Sequence, residues 1–206
     1  MSKPKILQEN ANYTFRSYFE LPYDTDEILA EFGYTFAQTR LKLPKINYQL
    51  DNLDRLRESL EESIPYVTLS SEAAKREVFI APVLIRVAIA CKQLLRIEYP
   101  LMVNNWLQGN LDYFIKSERN LIVVEAKRDD LTRGFTQLGV ELIALSMLYE
   151  ELDILYGAVT IGNLWIFGTL EQKSRVITRD IGSYALPDDA EELVKILVGI
   201  LEQTRP

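Results

Sequence analysis

The stretch that decides the fold runs Gly109-Asn-Leu-Asp-Tyr-Phe-Ile-Lys-Ser-Glu-Arg-Asn-Leu-Ile-Val-Val-Glu-Ala-Lys127. Two runs within it, residues 110–116 and 121–126, are rich in aromatic and aliphatic residues and flank a short polar segment. This pattern predicts two antiparallel strands joined by a tight turn. The second strand is apolar until it ends in two charged residues, Glu125 and Lys127, which a buried strand does not tolerate without a reason.

The turn sets which residues face one another across this hairpin. If Lys116 pairs with Leu121, Asp112 lies opposite Glu125, and opposed side chains share a face with their Cβ atoms ~5 Å apart. Because side chains alternate along a strand, Glu125 and Lys127 also point to one face. Two carboxylates at that distance repel unless a cation lies between them, and Mg²⁺ takes oxygen ligands of this kind. The hairpin therefore predicts a divalent-cation site.

Composition excludes several classes of site. The chain of 206 residues contains no histidine and one cysteine, Cys91. Ser-His-Asp and Cys-His catalysis, histidine-ligated zinc and a disulfide framework are therefore excluded within one chain. No apolar run is long enough to span a membrane, and the first residues lack the apolar segment of a signal peptide, so we expect a cytoplasmic protein without a membrane partner.

The net charge of −7 bears on possible partners. An acidic chain is poorly suited to broad, nonspecific binding of nucleic acid, which requires basic side chains to neutralise phosphates. It remains compatible with a local basic groove or with a site that a metal ion neutralises.

The periodicity of the chain predicts one α/β domain over residues 1–206, with a mixed central sheet flanked by helices. Residues 1–68 form an N-terminal section, 69–170 the core, and 171–206 an extension that ends in a helix. Helices are predicted at 24–32, 50–63, from Ser70 or Ser71 to about Leu95, 131–151 and 188–203. Strands are predicted at 13–19, within 32–43, and at 97–103, 110–116, 121–126, 156–161 and 164–170.

The site residues resemble a known pattern. Asp112, the run Glu125-Ala-Lys127, and Gln137 in the following helix are similar to the motif of the PD-(D/E)XK nuclease superfamily. Gly109, three residues before Asp112, fits the RecB-like branch and the N-terminal nuclease domain of type I restriction subunits. The resemblance spans about residues 72–170. Two positions depart from it: Leu111 stands where many members have proline, and Glu141 where the branch often has tyrosine.

This resemblance implies a set of metal ligands. Asp112 and Glu125 would bind Mg²⁺, or Mn²⁺ as a substitute, with help from the Ala126 carbonyl. The family also takes a glutamate from the helix before the sheet. Glu77 is the predicted residue, and Glu72 is the alternative.

The resemblance also implies a fold and a reaction. The fold would be restriction-endonuclease-like, and the reaction would be hydrolysis of phosphodiester bonds in nucleic acid, DNA being favoured. Lys127 would orient or activate the attacking water, and Gln137 would position the lysine or a phosphate. A homodimer or a larger complex is compatible with this reading.

Other interpretations of the same residues stay open. Glu125 and Lys127 could form an exposed ion pair at a strand end, and Gln137 could be a solvated helix residue. The chain could also be a catalytically silent protein of the nuclease fold that serves as a protein-binding subunit. A series of N-terminal aromatic residues could stack bases or could pack this section on the sheet or on a second subunit: Tyr13, Phe15, Tyr18, Phe19, Tyr34 and Phe36.

Overall fold

A mixed β-sheet runs through the computed structural model, which describes residues 5–203. Its eight strands within these residues follow the order β1-β7-β6-β5-β4-β3-β2, and β8 pairs with β6. The pairs β4–β5 and β1–β7 are parallel, and the other pairs are antiparallel. The strands are β1 (Thr35–Thr39), β2 (Leu95–Asn104), β3 (Leu107–Lys116), β4 (Leu121–Ala126), β5 (Ile154–Thr160), β6 (Leu164–Glu171), β7 (Val176–Asp180) and β8 (Tyr184–Ala185).

Helices cover both faces of this sheet, which confirms the α/β prediction. The helices are α1 (Phe15–Glu20), α2 (Thr25–Glu31), α3 (Leu53–Ser63), α4 (Glu72–Lys75), α5 (Ala81–Cys91), α6 (Leu131–Leu148) and α7 (Ala190–Glu202). A 3₁₀ turn follows α3 at Ile64–Tyr66, and a π turn at Arg76–Ile80 joins α4 to α5.

The two faces of β4 explain the two helical layers. Ile122, Val124 and Ala126 pack in one core with α3, α5 and α7, whereas Leu121 and Val123 pack in a second core with α1, α2 and α6. Every residue of β4 is buried. The strand therefore lies in the middle of the sheet, and at its carboxyl end lie the charged residues Glu125 and Lys127.

The segment before β1 differs from its prediction. Residues 13–19 were expected to form a strand because of their aromatic content, but Phe15–Glu20 is the helix α1, capped by Thr14. Phe15 and Tyr18 are buried on one side of it. Their spacing of three is a helical signal that composition obscured.

The other differences from the predictions lie in the last third of the chain and in the helix predicted from Ser70 or Ser71 to about Leu95. Strands β7 and β8 were not predicted, and β7 pairs in parallel with β1, so the first and last sections of the chain share one sheet. The helix capped by Ser71, whose hydroxyl accepts the Ala74 N–H at 3.1 Å, ends at Cys91. Leu95, predicted near its end, begins β2. Among residues 5–203, no helix is long and apolar enough to cross a membrane.

Candidate functional site

Strands β3 and β4 pair in the register expected from the sequence, but the ladder ends before the predicted pair of Asp112 and Glu125. Lys116 pairs with Leu121, and the ladder continues to the pair of Tyr113 and Val124. Beyond it, the Asp112 carboxylate accepts a hydrogen bond from the Ala126 N–H at 2.8 Å. The hairpin thus holds Asp112 beside the end of β4, where the strand becomes polar.

A cleft of about 730 Å³ opens at this point. Four residues form the floor of the cleft: Asp112, Glu125, Lys127 and Gln137. Helix α1 forms one wall, and the helical segment that contains Glu72 and Arg76 forms another. The rim of the cleft consists of exposed charged side chains at its mouth: Arg16, Glu20, Arg128 and Asp129.

Lys127 is held in place from several sides. Its ammonium donates a hydrogen bond to Glu125 Oε1 and lies 5.0 Å from the centre of the Phe19 ring. A side chain at Gly134 would clash with it, because a Cβ there would lie 2.8 Å from Lys127 Cγ. Burial acts to lower the pKa of Lys127, but the carboxylates of Glu125 and Asp112 outweigh it and raise that pKa. The lysine is therefore charged at neutral pH.

Gln137 links two buried carboxylates. Its side-chain amide donates to Glu125 Oε1 at 2.7 Å and to Glu141 Oε1 at 2.9 Å. Glu125 and Glu141 are 1% and 0% exposed. The second oxygen of each carboxylate has no hydrogen-bond partner, which is costly for a buried polar atom. Gln137 is thus a buried residue that contacts two carboxylates, and not a solvated helix residue.

Burial raises the pKa values of three neighbouring carboxyl groups, those of Glu125, Glu141 and Asp112. Desolvation and the repulsion of Glu141 and Asp112 raise the pKa of Glu125 well above its usual range. Desolvation raises the pKa of Glu141 to about 7 and also raises that of Asp112, against the hydrogen bond from Ala126 and the charge of Arg76. These groups are costly to ionise together unless a cation compensates them.

The two glutamates considered for the preceding helix lie in different places. Glu72 lines the cleft, and burial together with Asp112 raises its pKa. Glu77, the predicted ligand, is exposed and does not line the cleft, so the structure does not bring it to the other site residues. Glu77 lies in the π turn, five residues after Glu72, so the two side chains point in different directions around the helix.

The side chain of Ala126 points away from the cleft, as the alternation along β4 requires, and is buried in the core that contains α5 and α7. Its contribution to the floor is the N–H that donates to Asp112.

Arg76 is a site residue that the sequence analysis missed. One guanidinium nitrogen lies 2.7 Å from Glu98 and 3.4 Å from Asp112, and another donates to the Tyr113 hydroxyl at 3.2 Å. Arg76 follows Glu72 by one helical turn, so the two share a face. That spacing was a signal in the sequence. Arg76 partly compensates Asp112 in the absence of other cations.

Whether a metal ion fits can be judged from the donors. No group of three or more acidic or cysteine side chains within residues 5–203 is already arranged to hold a metal ion. The available donors are nonetheless carboxylate oxygens, which suit Mg²⁺ and Mn²⁺. Glu125 Oε2 is buried without a partner, and the raised pKa values show that Arg76 and Lys127 compensate the charge of these carboxylates only in part. Asp112 and Glu125, with Glu72 nearby, fit a hard divalent cation.

Neither a protein-family model nor a curated protein matches the chain. The residues of the cleft itself are therefore the evidence for its role. Half-buried Lys127 and the Gln137 amide both donate to one oxygen of Glu125, and Asp112 lies beside them.

Proposed function

We propose that the chain is a metal-dependent nuclease of the PD-(D/E)XK type that hydrolyses phosphodiester bonds in nucleic acid, with DNA as the favoured substrate. In this proposal the fold is restriction-endonuclease-like, Asp112 and Glu125 bind Mg²⁺ or Mn²⁺, and Glu72 replaces Glu77 as the helix glutamate. The protein would act in the cytoplasm, alone, as a homodimer or in a larger complex.

One observation carries the proposal. Asp112, Glu125, Lys127 and Gln137, chosen from sequence, line the same cleft, and Lys127 and Gln137 both donate to one oxygen of Glu125. An exposed ion pair would not explain this, since the side chains of Lys127 and Glu125 are 13% and 1% exposed. Buried groups with raised pKa values in a cleft are characteristic of functional sites.

The floor residues have different roles in the proposed reaction. Lys127 presents a charged ammonium, which can orient an attacking water and offset the negative charge of a phosphate. Gln137 fixes the Glu125 carboxylate, and the Ala126 N–H fixes that of Asp112. With one oxygen of Glu125 occupied by these donors, its free oxygen is the one left for a cation. A bound divalent cation would supply Lewis-acid stabilisation of the charge on the reacting phosphate.

The test is incubation of the purified protein with plasmid DNA and with single-stranded DNA, with Mg²⁺ or Mn²⁺ and with EDTA. We expect cleavage that needs the metal, is lost in Asp112→Asn and is strongly reduced in Lys127→Ala. Absence of cleavage of every substrate, together with no Mn²⁺ binding by calorimetry, would reject the proposal.

A catalytically silent, protein-binding role is the second candidate. Four exposed aliphatic side chains favour it, on α5 and at the adjoining start of the edge strand β2: Ile85, Ile89, Leu94 and Ile97. The acidic net charge also favours it over an interface for nucleic acid. This candidate predicts that a stable partner is found in pull-downs. Ile89→Glu should abolish binding of this partner, and Lys127→Ala should leave it intact.

A further inference from the structure

The floor of the cleft is deep, and this restricts which substrate can reach it. The side chains of Asp112 and Lys127 are only 15% and 13% exposed, and that of Glu125 is 1% exposed. The inference that follows rests on the proposed nuclease function. A phosphate must enter the cleft to meet these groups, because they do not reach the surface.

Helix α1 is a firmly attached wall above the floor. Phe15 and Tyr18 are each 1% exposed, and the Tyr18 hydroxyl donates to the Trp106 carbonyl at 2.6 Å. Phe15 also lies against Gly109 so closely that a Cβ there would be 3.0 Å from its ring. Because α1 is packed on β3 in this way, a wide substrate cannot be admitted by a simple displacement of the helix.

The α1 wall presents an aromatic ring and a cation to the cleft. Phe19 is half-buried, lines the cleft, and lies over the Lys127 ammonium. Arg16 and Arg128 stand at the rim, paired with Glu20 at 3.0 Å and with Asp129 at 3.8 Å. Exposed pairs of this kind contribute little, so both arginines can exchange these partners for phosphates. An aromatic ring with flanking cations is the arrangement with which proteins bind unpaired strands.

The size and charge of the cleft argue against a duplex. Its volume of about 730 Å³ is that of a small-molecule pocket. A duplex carries charge on two strands and needs an extended basic surface, whereas acidic side chains outnumber basic ones among the described residues that line this cleft. Enzymes whose reacting groups cannot be reached by an intact duplex act on single strands or on nucleotides turned out of the helix.

We propose that the cleft takes a single strand of nucleic acid, as a free end or an unpaired segment, with one base against Phe19 and phosphates beside Arg16 and Arg128. A continuous duplex is excluded by the depth of the floor and by the fixed position of α1.

Cleavage of matched substrates tests this inference. A labelled single-stranded oligonucleotide, its blunt duplex, and a duplex with a single-stranded overhang are incubated with Mn²⁺, in DNA and in RNA form. We expect cuts in the single strand and in the overhang, and duplex rates at least tenfold lower. Equal cleavage of the blunt duplex would overturn this inference and leave the nuclease proposal standing, whereas no cleavage of any substrate would reject both.

Binding provides an independent readout. Fluorescence anisotropy with the same oligonucleotides, in EDTA and in Ca²⁺, measures affinity without turnover. Loss of one base–aromatic stack is expected to weaken single-strand binding about tenfold in Phe19→Leu, while Phe19→Tyr retains it. Tyr66→Ala is the matched control, because Tyr66 is 87% exposed and lies outside the cleft. Thermal melting checks that each variant is folded. An unchanged affinity in folded Phe19→Leu would overturn the proposed contact.

Discussion

The floor and the rim of the cleft contain the same kinds of charged side chain in opposite surroundings. On the floor, the side chains of Lys127 and Glu125 are only 13% and 1% exposed and are bonded to each other, and Glu125 is also bonded to Gln137. On the rim, Arg16 and Glu20 form a pair of similar chemistry whose side chains are 82% and 61% exposed. Water screens the rim pair, so it contributes about 0–1 kcal/mol, whereas a buried charge that loses its partner costs several kcal/mol.

The difference shows where a substitution can reveal function. Changes on the floor alter charges that are largely shielded from water, and they should affect stability together with turnover, and metal binding as well where a carboxylate is removed. Changes on the rim should affect mainly the encounter with a charged substrate, in a manner that depends on salt. The following experiments test this contrast.

The largest effect is expected for the floor carboxylates and lysine. Asp112→Asn or Glu125→Gln should abolish both Mn²⁺ binding and cleavage, because each removes a proposed ligand. Lys127→Ala should lower turnover by a factor of roughly 100 or more while it retains the rise in melting temperature caused by Mn²⁺, since lysine is not a metal ligand. Melting curves of the four proteins with and without Mn²⁺ separate these roles. Four equal curves that metal does not move would contradict the floor assignment.

The second effect concerns pH and the buried Glu141. Because its pKa in the folded protein is about 7, above its ordinary value of 4.5, the folded state keeps a proton that the unfolded chain has released. In EDTA, the free energy of unfolding should therefore fall as pH rises from about 4.5 to 7, by roughly 3 kcal/mol from this group.

Urea unfolding at pH 5, 6, 7 and 8 measures this dependence. Glu141→Gln keeps the shape and an oxygen that can accept from Gln137, but it cannot ionise. We expect a flatter pH dependence and higher stability than the wild type at pH 8. Parallel curves for the two proteins would show that Glu141 is not the group responsible.

A smaller effect is expected from Gly134→Ala. The added Cβ would lie 2.7 Å from Val159 Cγ2 and 2.8 Å from Lys127 Cγ, so β5 or the lysine must move. This should cost about 1–3 kcal/mol, more than the roughly 1 kcal/mol that alanine gains over glycine inside a helix. The displaced lysine should also lower turnover.

The control for this substitution is on the same helix. At Gly139, a Cβ would meet the tip of the Leu29 side chain at 3.0 Å, which is easier to displace. Gly139→Ala should therefore change stability less and leave turnover unchanged. If the two variants lose turnover equally, the effect comes from α6 as a whole and not from the position of Lys127.

The sequence allowed the floor to be predicted because its geometry is local. The turn at 117–120 fixes the register of β3 and β4, and the alternation along β4 fixes which side chains share a face. The pairing of β1 with β7 could not be predicted from local sequence, since it joins strands from opposite ends of the chain. The α1 wall was predicted as a strand, because its aromatic residues suit either structure and only the spacing of Phe15 and Tyr18 distinguishes them.

The choice between Glu72 and Glu77 could not be made from the local sequence. Five residues separate them, so on a regular helix their side chains point about 140° apart, and only one of them can face the cleft. Glu72 lines the cleft, whereas Glu77 is exposed to solvent. Periodicity does not show which side of the helix faces the site, so Glu77 was the predicted residue and Glu72 the alternative until the structure placed both.

The smallest effect is expected from substitution of Glu72 or Glu77, and it tests which of the two belongs to the metal site. Glu72→Gln should weaken Mn²⁺ binding several-fold, because a half-buried carboxylate near Asp112 adds attraction for a cation. It should also raise the melting temperature slightly in EDTA, since the raised pKa of Glu72 shows that its charge is unfavourable there. Glu77→Gln should change neither quantity, because Glu77 is exposed and outside the cleft. Calorimetric titration of Mn²⁺ into the two variants and the wild type measures the difference. Equal affinities in all three would remove Glu72 from the site and leave the cation to Asp112 and Glu125 alone, whereas a weaker affinity only in Glu77→Gln would restore the residue first chosen from the sequence.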